Sequence, residues 1–106
     1  MRWLTEIFAS AMMVHVPKER ANDIYSKFYR LLKPEGLLFV NFKIGDHSLI
    51  SMDGRFFEYY RDESYPMTQL SNNGLRIEEV IWSINSRTMY DDPKMIRWAN
   101  FFCRKK

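Results

Sequence analysis

Few side chains in this sequence of 106 residues have a type and spacing that could do chemistry. The first group is the stretch Ser10-Ala11-Met12-Met13-Val14-His15-Val16. A histidine changes charge near neutral pH and could serve as acid, base or ligand. His15 has no second titratable group beside it, and reads as a polar residue at the mouth of a helix. His47 next to Asp46 is the nearest approach to a metal site. Two ligands without a third do not hold a metal, so this pair reads as loop chemistry. The single cysteine, Cys103, excludes an internal disulfide. Its apolar surroundings make it a small buried hydrophobe in place of a reactive thiol. Phosphate and dinucleotide cradles need glycines close together, so that backbone can approach the ligand. The four glycines, Gly36, Gly45, Gly54 and Gly74, are scattered, and each has a turn or cap explanation. No P-loop, zinc spacing, nucleophile elbow or Ser/His/Asp set is present.

Position therefore matters more than residue type, and position is set by residues 17–45. From Pro17 to Leu32 the apolar side chains Ala21, Ile24, Tyr25, Phe28, Leu31 and Leu32 fall three and four apart, which makes one stripe of a helix. Pro17 suits a first helical position, and Pro34 ends the helix at Lys33. Pro34-Glu35-Gly36 reads as a tight turn, with proline fixing φ and glycine giving freedom. The apolar run from Leu37 to Val40 then reads as a strand covered on both faces, as in a parallel sheet. Its upstream partner is the strand 3–10, which gives strand 3–10, helix 17–32 and strand 37–43 with a right-handed crossover. Ser10 to His15 would then lie at the carboxyl end of the first strand, where open α/β sheets bind ligands.

Residues 43–53 form a polar loop, and 54–60 an aromatic flap packed on the sheet. Asp62 or Ser64 can cap a helix over 62–73, with Pro66 in its first turn and Gly74 as its stop. Strand 75–84 alternates, but slips by one residue at Glu78-Glu79, which a β-bulge would explain. After a polar loop at 85–94, residues 95–103 are apolar on both faces and belong inside the sheet. The chain reads as one domain over 1–106, with 46% hydrophobic and 16% aromatic residues. A net charge of +3, clustered only at Arg104–Lys106, argues against nucleic acid. Arg2 and Ala9-Ser10-Ala11 imitate a secretory leader, but Thr5 and Glu6 interrupt its apolar region. A cytoplasmic protein without a membrane span is expected.

The segments IFASAMMVHVP, LLKPEGLLFVNFKIG, RFFEYY, NNGL and IRWANFFCRKK, in that order, resemble the second half of a class I (Rossmann-like) S-adenosylmethionine-dependent methyltransferase. The resemblance implies an α/β fold with a four-stranded mixed sheet, in the order 3–10, 37–43, 95–104, 75–84, with strand 95–104 antiparallel. It places Ser10, Ala11, Met12 and His15 near the methyl donor. The family's glycine-rich donor-binding half has no counterpart in these residues. The expectation is a methyltransferase-like module that does not methylate alone and meets S-adenosylmethionine only if a partner supplies the missing half. It also implies that Trp3, Thr5, Ile7 and Phe8 lie on an unpaired edge strand, which a second copy would cover in a homodimer with an eight-stranded sheet. Two alternatives are a split enzyme completed by another chain, and a small-molecule binder using Met12–His15 at the dimer junction.

Overall fold

The structure is a computed structural model that describes residues 3–45, 49–50, 54–85 and 96–106. Asp46, His47 and most of the loop expected at 85–94 lie outside the described residues. The opening strand–helix–strand unit is present. β1 (Leu4–Ala9) runs parallel to β2 (Leu32–Ile44), and α1 (Lys18–Leu31) connects them. Ala21, Tyr25 and Phe28 are the buried side chains of α1, on the single stripe that their spacing dictates. Pro17 sits one place further out than expected, as the N-cap, and has no side chain with which to cap the helix.

The corner at Pro34-Glu35-Gly36 also differs from expectation. Leu32 already pairs with Leu4, so the corner is a bulge inside β2, and pairing resumes at Glu6 and Leu37. Glu35, not Gly36, takes the left-handed φ of 65°. What Gly36 supplies is room: a Cβ there would lie 2.8 Å from the Lys33 carbonyl oxygen and 3.2 Å from that of Thr5. Glycine lets the two strands close up after the bulge.

Short strands follow as β3 (Leu49–Ile50), β4 (Phe56–Phe57) and β5 (Tyr59–Tyr60). The aromatic flap is packed as expected, but its second half also joins the sheet, with β5 pairing the end of β2 through Lys43↔Tyr59 and Ile44↔Tyr60. The sheet therefore gains a fifth strand. Next comes α2 (Ser64–Asn72), preceded by Asp62, whose carboxylate accepts the Ser64 N–H at 2.9 Å. Hydrogen bonds from Ser64 hold that carboxyl below its ordinary pKa. Gly74 ends this region with φ 79°. β6 (Leu75–Asn85) and β7 (Ile96–Lys105) complete the order β1-β2-β7-β6, with β7 antiparallel to both neighbours. The register of β6 slips between Ile77 and Glu79, where the sequence pattern slips.

Both helices pack on one side of the sheet. Tyr25, Phe28 and Leu70 meet Leu38, Val40, Phe101 and Cys103 there. The other side carries an aromatic row. Phe8 stacks on Phe39 at 4.5 Å, and Phe39 meets Phe102 at 5.0 Å. No described helix covers this row, and Phe8 is 70% exposed. The expectation of a sheet covered on both faces is corrected to one covered face among the described residues.

Cys103 lies in the covered core, and burial, with a lesser push from Glu78, raises its thiol pKa from 9.0 to about 12. A raised acid pKa contributes stability below the unfolded value, which is lost as pH rises through the folded one. Stability is therefore expected to fall between about pH 9 and 12. The hydroxyls of Tyr25 and Tyr60, also pushed up by burial, act in the same direction. At pH 8 a thiol reagent is expected to label Cys103 only as fast as the protein opens, and rapid labelling of folded protein would contradict the burial.

Candidate functional site

The residues singled out in sequence form the turn at the carboxyl end of β1. Ala9 is buried, and the chain then bends outward through Ser10, Ala11 and Met12, all exposed. Ala11 takes a φ of 57°, an uncommon region for a residue with a Cβ. Its N–H donates to Asn41 Oδ1 at 2.8 Å. Asn41 Nδ2 donates to Asn100 Oδ1 at 3.3 Å, and Asn100 Nδ2 donates to Ile81 O at 2.8 Å and Ser83 Oγ at 3.0 Å. One polar line thus crosses β2, β7 and β6 and ends on the turn. Without Asn41 the strained turn loses its anchor. Asn41→Ala is expected to lower stability by about 1 kcal/mol, the usual net worth of a hydrogen bond, and to raise amide exchange at residues 10–12. Unchanged exchange there would show that the turn does not depend on Asn41.

Met13 to His15 follow as one turn of 3-10 helix, with Met13 and Val14 buried and His15 exposed. His15 Nδ1 lies 2.8 Å from the Phe56 carbonyl oxygen. A carbonyl only accepts, so the hydrogen is on Nδ1, and Nε2 carries the lone pair in the neutral ring. The imidazole also packs on Phe57 at 4.9 Å. The Glu58 N–H donates to Val14 O at 2.7 Å. Turn and flap are therefore tied together at two points.

Glu58 is 3% exposed and closes the arrangement. Its Oε1 accepts the backbone N–H of Lys18 at 2.8 Å, and its Oε2 accepts Lys18 Nζ at 2.9 Å. Glu58 thus caps α1 from 40 residues away, where Pro17 cannot. The Lys18 ammonium also donates to Tyr59 O at 2.9 Å and lies 4.9 Å from the centre of the Tyr60 ring. A second cation, Lys43, lies 4.8 Å from the Phe57 ring centre and 5.5 Å from those of Tyr59 and Trp98.

Sequence reading named Ser10, Ala11, Met12 and His15, which the turn holds together, and missed Asn41 and Glu58. Both had a signal. Asn41 is a lone amide in the apolar run of β2, and Glu58 is a lone charge among four aromatics. Among the described residues no group of three or more His, Cys, Asp or Glu could hold a metal.

Of the expected edge residues, Thr5, Ile7 and Phe8 sit on β1 and Trp3 directly precedes it; β1 is outermost and pairs only β2 among the described strands. Trp3 and Leu4 are 53% and 45% exposed, and Thr5 is exposed. Ile7 packs against the core, so it meets the edge through its backbone. On the uncovered face Glu6, Phe8, Leu37, Phe39 and Phe102 line a groove of about 300 Å³. No described helix is long and apolar enough to cross a membrane.

No protein-family model matches the chain, and no curated protein matches it. Solved structures do. One is a SAM-dependent methyltransferase from Methanosarcina mazei, with TM-score 0.77 and 13% identity, covering 96% of this chain and 59% of that one. Another is the magnesium protoporphyrin IX methyltransferase of Synechocystis with bound SAM, with TM-score 0.64 and 15% identity, covering 100% of this chain and 41% of that one. A third is human N-acetylserotonin methyltransferase in complex with SAM, with TM-score 0.62 and 12% identity, covering 99% and 30%. The chain has part of the class I methyltransferase fold and spans about a third to three fifths of the length of these structures.

Proposed function

We propose that this chain is a methyltransferase-like binding module that has no methyl transfer of its own and completes its sheet through β1. The observation that carries this reading is the outer strand. Its outward backbone has no described partner strand, while Trp3, Leu4 and Phe8 are largely exposed along it. An apolar edge of this kind invites another strand, whose main-chain hydrogen bonds give affinity and whose side chains give specificity. The lack of catalysis is supported by the sequence. None of its glycines cluster into a turn able to cradle a methyl donor. Ser10, Ala11, Met12 and His15 would form one lip of a donor site and supply no second wall.

The test is calorimetric titration with S-adenosylmethionine on protein of measured oligomeric state. No heat of binding is expected. Micromolar or tighter binding by the chain alone would overturn the reading.

One observation favours a second reading, in which another polypeptide supplies the front half and an active enzyme results. Pairing β1 extends the sheet but leaves the row Phe8, Phe39 and Phe102 uncovered, whereas a front half carrying helices would bury it as well. SAM would then bind between that half and the Ser10–His15 turn. Co-expression with a candidate front half separates the two readings: recovery of a stable complex that binds SAM supports the second, and its failure to form supports the first.

A further inference from the structure

Resting on the reading that the sheet is completed at β1, we propose that the occupant is β1 of a second copy, antiparallel, with Ile7 on the two-fold axis. The axis of such a pair stands perpendicular to the sheet, so the helices of both copies stay on one side. Side chains alternate between faces, and residues directly opposite each other share a face. Only registers that place one residue on the axis, opposite itself, satisfy both conditions.

For the strand Leu4–Ala9, the central choices are Glu6 and Ile7. An axis through Glu6 opposes the strand's one charge to its own copy, and like charges directly opposite are destabilising. An axis through Ile7 places Glu6 opposite the partner's Phe8, Thr5 opposite the partner's Ala9, and Ile7 opposite itself. The exposed Phe8 then gains the partner's Phe8 as a diagonal neighbour, within reach of an aromatic side chain. The row Phe8, Phe39, Phe102 continues across the axis into its copy. The same register has a consequence for the candidate site. Because the strands run in opposite directions, the partner's Leu4 and the partner's Trp3 come to the carboxyl end of β1, where the chain turns at Ser10 and Ala11. The lip at the end of β1 is then composite, with one wall from each copy.

Glu6 and Phe8 are both exposed, so cysteines there can be introduced without disturbing the core. Glu6→Cys and Phe8→Cys proteins are prepared separately, mixed, and oxidised mildly, with Cys103 buried in both. The mixture is expected to give a mixed disulfide dimer at least ten-fold faster than either protein alone. Rapid self-linking of Glu6→Cys would overturn the Ile7 register while leaving an edge-paired dimer in place. Light scattering on the unmodified chain is expected to give twice the single-chain mass at micromolar concentration. Phe8→Glu is expected to reduce this to the single-chain mass without loss of helical circular dichroism. A single-chain mass for the unmodified protein would overturn the second copy as occupant, whatever the outcome of the donor titration. A dimer that Phe8→Glu leaves intact would place the contact away from β1 and overturn the inference.

Discussion

Glu58→Ala is expected to lower the stability of the folded chain by about 3 kcal/mol, near the low end of the cost of removing one partner from a buried ion pair. Two losses combine. The first turn of α1 loses the acceptor for the Lys18 N–H, and the Lys18 ammonium loses its counter-charge. Lys18 retains some access to water, with a side chain 27% exposed, which keeps the cost from rising further. In a urea titration this is a midpoint lower by about 2 M, taking a slope of about 1.5 kcal/mol/M for a domain of this size. Glu58→Gln keeps a neutral acceptor for the helix and is expected to cost about half as much. Lys18→Met in the Glu58→Ala background removes the stranded cation and is expected to recover part of the loss, so the two changes are not additive. Equal midpoints for the unmodified and Glu58→Ala proteins would show that the flap does not cap the helix. The backbone N–H of residue 58 still reaches Val14 O in this variant, so the turn that holds His15 is expected to keep that tie.

The second large effect is expected at Gly36. A methyl group there meets the carbonyl oxygens of Lys33 and Thr5 at 2.8 and 3.2 Å, and neither is a flexible side chain that can swing aside. Relief requires the Lys33–Glu35 corner of β2 to open and β1 to move off β2. Gly36→Ala is expected to cost about 2–3 kcal/mol, as for overpacking against a rigid wall. The damage is expected to concentrate in β1, with the amides of residues 4–9 exchanging faster while those of β7 are unchanged. Uniform loss of protection throughout the sheet would mean that β1 and β2 do not separate as a unit. By contrast Gly54, with φ 87° and no contact to a Cβ there among the described residues, is favoured by conformation.

Much of the fold was legible because local pattern and long-range structure agree. The helical stripe from Ala21 to Phe28, the proline-terminated end of α1 and the slip at Glu78-Glu79 each follow from spacing within a few residues. The strand order came from resemblance to a known fold, since no local pattern says that β7 lies between β2 and β6. Two matters could not be read. Asn41 and Glu58 act on Ala11 and Lys18 across 30 and 40 residues, and nothing in the immediate sequence names the partner of a lone polar residue. The uncovered face was hidden for another reason. Leu37, Phe39 and Phe102 are as apolar as residues that a helix covers, because composition records that a face is to be buried and not what buries it. The same gap explains why Gly36 was assigned freedom of φ when its role is closeness of approach.

The proposed function rests on β1 as the place where this chain meets its partner. Amide hydrogen exchange at residues 4–9, followed as protein concentration is raised from nanomolar to tens of micromolar, tests it most directly. Strand pairing is expected to slow these amides as concentration rises, while the interior strand β7 stays equally protected throughout. Exchange in β1 that is fast and independent of concentration would contradict the account.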